Sequence, residues 1–314
     1  MFAETRYLDS PTGARLAFHV HNAEATPLGI VIISHGMSEH SRRYAPFAAY
    51  LAARGYHVYA LDHRGHGETT APDATNGQFA KRDGASKVVA DILAIRDLAA
   101  EQNPGLPLLL FGHSMGGLIC LNVAISHPDR FAGFAVWNCD FSAALLSPVM
   151  RLILGIERWL KGSDVPSAML PRLTFETWGK AIKGHRTLFD WLSNDPKEVD
   201  AYIADPLCGF PCTVSLWMDV TGFIERGANK GLLKSIPGDK ALMLLGGGQD
   251  PASRGGKAIT WLAKRLSETG HSRVTTLIFP DARHETLNDN DREKAMRAFS
   301  DWADGITTVP SQTA

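Results

Sequence analysis

The clearest chemistry in this chain sits in Gly112-His113-Ser114-Met115-Gly116-Gly117, which follows the apolar run Leu108-Leu109-Leu110-Phe111 and precedes small and apolar residues. A G-x-S-x-G at a strand-to-helix turn presents a serine hydroxyl at the start of a helix, where it can act as a nucleophile. Gly112 and Gly116 are needed there because the sharp turn brings neighbouring backbone close, and a side chain at either position would displace the serine. Average glycine and serine usage would put a bare G-x-S-x-G in about one in ten chains this long. The strand signal before it and the helix signal after it therefore carry the assignment.

A serine hydroxyl is a weak nucleophile at neutral pH, so it needs a base, and the base needs an acid to fix its tautomer and stabilise the imidazolium. Both are expected later in the chain, after later strands. Two turns qualify, Leu245-Gly246-Gly247-Gly248-Gln249-Asp250 and Phe279-Pro280-Asp281-Ala282-Arg283-His284, which gives the order Ser114, Asp250, His284. Asp281 and Asp140 compete for the acid role; Asp281 lies too near His284 along the chain to reach the far side of the ring easily, and Asp140 comes early. Among 12 histidines, position singles out His284. His35, His113, His63 and His66 read as packing and hydrogen-bonding residues. Acyl transfer also needs donors for the tetrahedral oxyanion, each typically worth about 3–4 kcal/mol. The backbone N–H groups of Met115 and Met37 are placed for this, with Gly36 permitting the turn before Met37. No metal or organic cofactor is required.

The elements that must position these residues follow from short apolar, β-branched runs at Ile30 to Ser34, His57 to Leu61, Leu108 to Gly112, Phe134 to Asn138, Ala241 to Leu245 and Val274 to Phe279, which predict buried strands. Helical patterns over Tyr44 to Arg54, Ala85 to Glu101, Gly117 to Ser126, Gly256 to Glu268 and Arg292 to Trp302 lie between most of them. The alternation predicts an α/β fold, a mainly parallel sheet with helices on both faces. Residues 139–237 show helical patterns and no convincing strand, which predicts a helical cap inserted between core parts 1–138 and 238–314. Its first helix, around Pro148 to Leu160, carries Val149, Met150, Leu152, Ile153, Leu154, Ile156, Trp159 and Leu160, more than one amphipathic stripe. The surplus fits packing against other cap helices, the wall of an acyl-chain pocket or a membrane-touching lid. The tail after Ile306 reads as frayed.

With 314 residues and 45% apolar composition, the chain can bury a large core without disulfides. Its 32 basic and 33 acidic residues leave a formal charge of −1, which gives no field to gather nucleic acid. Cys120, Cys139, Cys208 and Cys212 form no CxxC pair and read as ordinary thiols. The beginning, MFAETRYLDSPTGARLAF, lacks a leader pattern, and no apolar stretch is long enough to span a bilayer, so a soluble, cytoplasmic protein is expected. The composition carries no signal for oligomeric state.

The segments HGMSEHSRRY, DHRGHGE, LFGHSMGG and FPDARHETLND resemble the bacterial lysophospholipase and monoacylglycerol lipase group of α/β-hydrolases. The resemblance covers nearly the whole chain, and FDWLSNDPKEVDAYIADPLCGFPCT is similar to the segment by which relatives return from cap to core. It implies Ser114 as nucleophile, Asp250 as acid, His284 as base and the Met37 and Met115 backbone as oxyanion hole. It also implies that Glu39 and Arg43 brace the loop beneath the site. Glu68-Thr69 departs from relatives that carry serine directly after GHG. The implied activity is cleavage of a carboxylic ester through an acyl-enzyme. The expected substrate is a small lipid ester, monoacylglycerol or lysophospholipid, with peripheral membrane contact through the cap. The competing readings are a broad short-chain carboxylesterase, a peptidase or haloperoxidase on the same architecture, and a non-catalytic lipid-binding module.

Overall fold

Runs such as Gly29–Ser34 (GIVIIS) and Leu108–His113 (LLLFGH) have no polar face, so a strand made of them must be covered on both sides. In the computed structural model, which describes residue 2 and residues 4–307, both are central strands of one sheet. Its strands are β1 (Arg6–Asp9), β2 (Arg15–His21), β3 (Gly29–Ser34), β4 (Tyr56–Leu61), β5 (Leu108–His113), β6 (Gly133–Trp137), β7 (Ala241–Gly247) and β8 (Val274–Phe279). Their order is β1-β2-β4-β3-β5-β6-β7-β8, antiparallel where β2 meets β1 and β4 and parallel elsewhere. Register places Ile32 of β3 opposite Tyr59 of β4 and Leu110 of β5.

The helices are α1 (Ala45–Ala52), α2 (Gly84–Gln102), α3 (Met115–Ser126), α4 (Ser147–Lys161), α5 (Leu170–Leu173), α6 (Phe175–Ala181), α7 (Pro196–Ala204), α8 (Val214–Ala228), α9 (Lys230–Leu233), α10 (Lys257–Glu268) and α11 (Arg292–Thr307). Alternate strand residues bury against opposite layers. Val31, Ile33, Phe111 and Trp137 pack with Phe47 and Leu51 of α1 and Phe299 and Ala303 of α11. Ile30, Ile32, Leu110 and Phe134 pack with residues of α2, α3 and α10. The sheet and its two helical layers are those that the strand and helix alternation predicts, and all six predicted strands form. Strands β1 and β2 are not among them: β1 is exposed along most of its length and lacks a buried face to read. The tail expected to fray lies outside the described residues beyond Thr307.

Between β6 and β7 the described chain contributes α4–α9 and no strand of the sheet. Helix α8 packs on α3 and α4, and the Asn122 side chain on α3 donates to the Phe223 carbonyl on α8 at 3.0 Å. In α4, Leu154 is buried and Met150 and Ile153 face a cavity, while Val149, Leu152, Ile156, Trp159 and Leu160 stay exposed. Packing against neighbouring helices therefore covers only part of its apolar surface. Among the described residues no helix is long and apolar enough to cross a membrane.

Phe299 is fully buried, with ring centroids 5.2 Å from Phe47 and 5.7 Å from Phe111. Phe299→Ala is expected to lower unfolding stability by about 3–5 kcal/mol, read as a lowered midpoint in urea with an unchanged m-value.

Candidate active site

Strand β5 ends at His113, and the next residue, Ser114, takes φ +55° and ψ −119° before α3 begins at Met115. A positive φ is costly for a residue with a side chain and persists only where the surroundings impose it. Here they do. A Cβ on Gly112 would lie 2.1 Å from the Gly116 carbonyl oxygen, and one on Gly116 would lie 2.0 Å from that of Ser34 at the end of β3. The turn is wedged between its own helix and the neighbouring strand, and Ser114 N–H is tied to the Trp137 carbonyl at 2.9 Å.

Three strand ends converge there. Asp250 follows β7 and His284 follows β8; Ser114 Oγ lies 2.9 Å from His284 Nε2, and His284 Nδ1 lies 3.0 Å from Asp250 Oδ2. Asp250 is fully buried, and its Oδ1 accepts the Ala252 N–H at 2.8 Å. Burial pushes its carboxyl up, but the His284 charge and hydrogen bond outweigh burial and leave it below the usual range. It stays ionised at neutral pH and can hold an imidazolium. Asp281 and Asp140 are not at the histidine: Asp140 caps its own loop through Ser142 and Ala143 and pairs with Arg254.

Met37 and Met115 line the same cavity as Ser114. Met115 opens α3, so its N–H has no partner within the helix. Gly36 sits tight against the serine, since a Cβ on it would lie 2.6 Å from Glu39 Oε1 and 3.4 Å from Ser114 Cβ.

Beneath this loop lies a buried charged cluster. Glu39 accepts from Gly36 N–H at 2.6 Å, Tyr44 hydroxyl at 2.8 Å and Arg43 at 2.7 Å, and lies 3.4 Å from His113 Nδ1. Arg43 also donates both arms to Glu285, at 2.6 Å each, a bidentate geometry that fixes direction as well as distance. His113 Nε2 reaches the His284 carbonyl at 3.0 Å. Burial would raise the Glu39 carboxyl, but the His113 hydrogen bond and the Arg43 charge hold it well below the usual range. Burial would lower His113; its hydrogen bond to Glu39 and the Glu39 charge raise it instead.

Glu39 and Arg43 thus lie where a bracing role requires, whereas Glu285, Asn138, Trp191 and Trp178 are additional. Asn138 Nδ2 lies 3.4 Å from Asp250 Oδ2. The Trp191 ring is centred 4.8 Å from the His284 ring, and His284 and Glu285 donate backbone N–H bonds to the Trp191 and Leu192 carbonyls. Adjacency to His284 was a signal for Glu285; nothing local marks the tryptophans. His35 receives the His63 N–H at 2.9 Å, and His63 Nε2 reaches Ser34 at 2.9 Å, both structural. The Glu68-Thr69 variation closes its loop through Asp62, which accepts Glu68 N–H at 2.8 Å, while Thr69 donates to the Asp62 carbonyl at 2.7 Å.

Two cavities meet at Ser114 and His284. The larger, about 450 Å³, runs beneath α4 along Leu118, Val149, Met150, Ile153 and Val220, and the smaller is about 240 Å³. Among the described residues, His40, Asp205 and Cys208 bring potential ligand atoms within 4.8 Å of one another. His40 and Asp205 already pair at 2.8 Å, and burial pushes the Cys208 thiol up, against ligation.

Residues 25–291 match the family described as serine aminopeptidase, S33. The chain is 27% identical to a monoacylglycerol lipase of Mycolicibacterium smegmatis, over 92% of this chain and 93% of that protein. It is 28% identical to the monoglyceride lipase of Homo sapiens, over 85% and 81%. Its fold superposes on a thermostable carboxyl esterase from Bacillus coagulans, solved with glycerol, with a TM-score of 0.87, 28% identity and coverage of 98% and 99%.

The buried cluster sets a pH dependence. Glu39 contributes stability fully above its ordinary 4.5 and loses it as pH falls through its lowered folded value; His113 contributes fully below its ordinary 6.5 and loses it as pH rises through its raised folded value. Glu39→Gln is therefore expected to cost about 3 kcal/mol, with the largest gap from wild type between pH 4.5 and 6.5. Urea unfolding at pH 4, 5.5 and 8 measures it.

Proposed function

The chain belongs to the serine aminopeptidase S33 family of α/β-hydrolases and is a carboxylic ester hydrolase; on that premise we propose that it cleaves monoacylglycerol, with Ser114 as nucleophile, His284 as base and Asp250 as acid. The observation that carries this reading is the apolar cavity of about 450 Å³ that ends at the Ser114 hydroxyl. It suits an acyl chain, and the lipase names of the relatives at 27–28% identity support the same substrate class. Peptide substrates fit less well: a free N-terminal amine needs an unengaged carboxylate, and the lining acids Asp140, Glu39, Glu285 and Glu176 are paired with Arg254, Arg43 and Lys180.

In this reaction His284 takes the Ser114 proton as Oγ attacks the ester carbonyl, and Asp250 holds the imidazolium. The Met37 and Met115 N–H groups receive the oxyanion. His284 then protonates the departing glycerol oxygen and activates the water that releases the fatty acid. Residues 139–237 act as the cap over this site. Lysophospholipid is the neighbouring substrate, with the same acyl chain and a larger head group.

The outward stripe of α4 supports peripheral contact with a lipid surface. On α4, Leu152 (64% exposed) and Trp159 (83%) stand in solvent, as does Leu145 (84%) in the turn just before the helix, and Leu146 and Val149 join that surface to the wall of the larger cavity. Contiguous exposed apolar surface of this kind marks an interaction site. A helix lying in the interface with its apolar face down would open the cavity toward the lipid.

Hydrolysis of monoacylglycerol, lysophosphatidylcholine and short p-nitrophenyl esters, measured side by side, tests the substrate. Monoacylglycerol is expected to be turned over fastest and Ser114→Ala to lose about 10⁴-fold or more in kcat; activity on short esters alone would reassign the chain as a general carboxylesterase. Co-sedimentation with phosphatidylcholine–phosphatidylglycerol vesicles tests the membrane contact. The doubly substituted Leu152→Asp, Trp159→Asp protein is expected to bind about tenfold or more weakly, and wild type left in the supernatant would refute the contact.

A further inference from the structure

The two edges of the sheet are finished differently. At one, β1 (RYLD) carries Arg6 and Asp9, charges of the kind that keep an exposed strand from pairing with another chain. At the other, β8 reads VTTLIF, with no charge, proline or glycine, and it pairs with β7 alone. The Arg273 and Phe279 carbonyls accept the N–H groups of Leu242 and Gly248 on the β7 side. By strand alternation, Val274, Thr276 and Ile278 therefore turn both their N–H and C=O groups away from β7. None of these outward groups has a partner among the described residues. Nor is the strand hidden by its own side chains: Thr275 and Thr276 are exposed, and Ile278 is 37% exposed.

A second copy of β8 complements this edge. A two-fold axis at Thr276 sets the strand antiparallel to itself, with Thr276 against Thr276 and Val274 of each copy against Ile278 of the other. These are the residues with outward groups, so the pairing forms about six main-chain hydrogen bonds. A slip by one residue would set them against residues whose groups are spent on β7, which fixes the register. Charge complements the ends. Arg273 precedes the strand and Asp281 follows it; both are exposed, and neither lies within 4.0 Å of an opposite charge among the described residues. Antiparallel pairing carries the Arg273 end of one copy to the Asp281 end of the other, whereas a parallel copy would bring Arg273 to Arg273. We propose that the protein is a dimer joined through its β8 edges, with one continuous sheet of twice the eight strands running through both subunits. The contact uses the same strand on both sides and closes on itself, so it stops at two copies. None of residues 273–281 lines either cavity at Ser114, so turnover per chain does not depend on the contact.

Sedimentation velocity of the full chain at about 1 to 100 μM tests the dimer. Wild type is expected to reach twice the 34.2 kDa of one chain. Thr276→Lys, which sets two ammonium groups face to face at the axis, is expected to stay at the mass of one chain with its ester turnover per chain unchanged. Thr276→Cys reads the register. Opposite Cα atoms in a hydrogen-bonded antiparallel pair lie about 5.5 Å apart, so a short bismaleimide is expected to join two chains of this variant and to leave Ser86→Cys, altered at an exposed position on α2, as single chains. Cysteine is close to threonine in size, so the crosslink decides the matter even where lysine harms folding. Wild type that stays a single chain at about 100 μM, a dimer that folded Thr276→Lys leaves intact, or Thr276→Cys that crosslinks no faster than Ser86→Cys overturns the β8 interface.

Discussion

The site hangs on one steric constraint, the close approach of α3 to β3 at Gly116. With the Gly116 Cα against the Ser34 carbonyl, the chain leaving β5 has no room for a relaxed turn, and Ser114 is driven to φ +55°. That conformation brings the hydroxyl to His284 Nε2 at 2.9 Å and starts α3 at the very next residue, Met115. In the proposed reaction, nucleophile and oxyanion donor are therefore placed by one backbone feature. Its cost is borne by two buried layers, in which β3 and β5 are hydrogen-bonded neighbours with every residue inaccessible.

A second constraint couples loops that are far apart in sequence. Arg43 links Glu39, in the loop after β3, to Glu285, in the loop after β8, and His113 links Glu39 to the backbone of His284. One buried carboxylate thereby fixes the Gly36–Met37 turn from below and holds the histidine loop from the side. Such a cluster is costly to bury and tolerable only because nearly every lone pair and proton has a partner. In the proposed reaction this keeps the oxyanion donor and the base in register without any contact with substrate.

Above this rigid floor the walls are apolar and divided. Helix α4 turns Met150 and Ile153 inward and Leu152, Ile156 and Trp159 outward, so one helix serves as a cavity wall and leaves a second apolar face in solvent. Across from it, Trp191 and Leu192 cover the histidine and line the smaller cavity, tied to the His284 loop by two backbone hydrogen bonds. The segment that walls the smaller cavity is thus also the one that steadies the His284 loop.

By itself the sequence determined what depends on local pattern: six strands from apolar runs, the alternation that makes a parallel sheet, and the elbow, whose glycines and serine must be contiguous. It also ordered the expected partners, because Asp250 and His284 each follow a strand within a few residues. Tertiary structure alone decided what depends on distant segments meeting. The bidentate Arg43–Glu285 pair spans 242 residues, and Trp191 reaches His284 from the segment between β6 and β7; neither has a sequence period to betray it. The edge strand β1 escaped for the complementary reason: it has no buried face, so nothing in its residue pattern marks it. The division of the apolar space into two cavities, and the exposure of half of α4, likewise follow from how much surface the neighbouring helices cover, a quantity that hydrophobic periodicity does not contain.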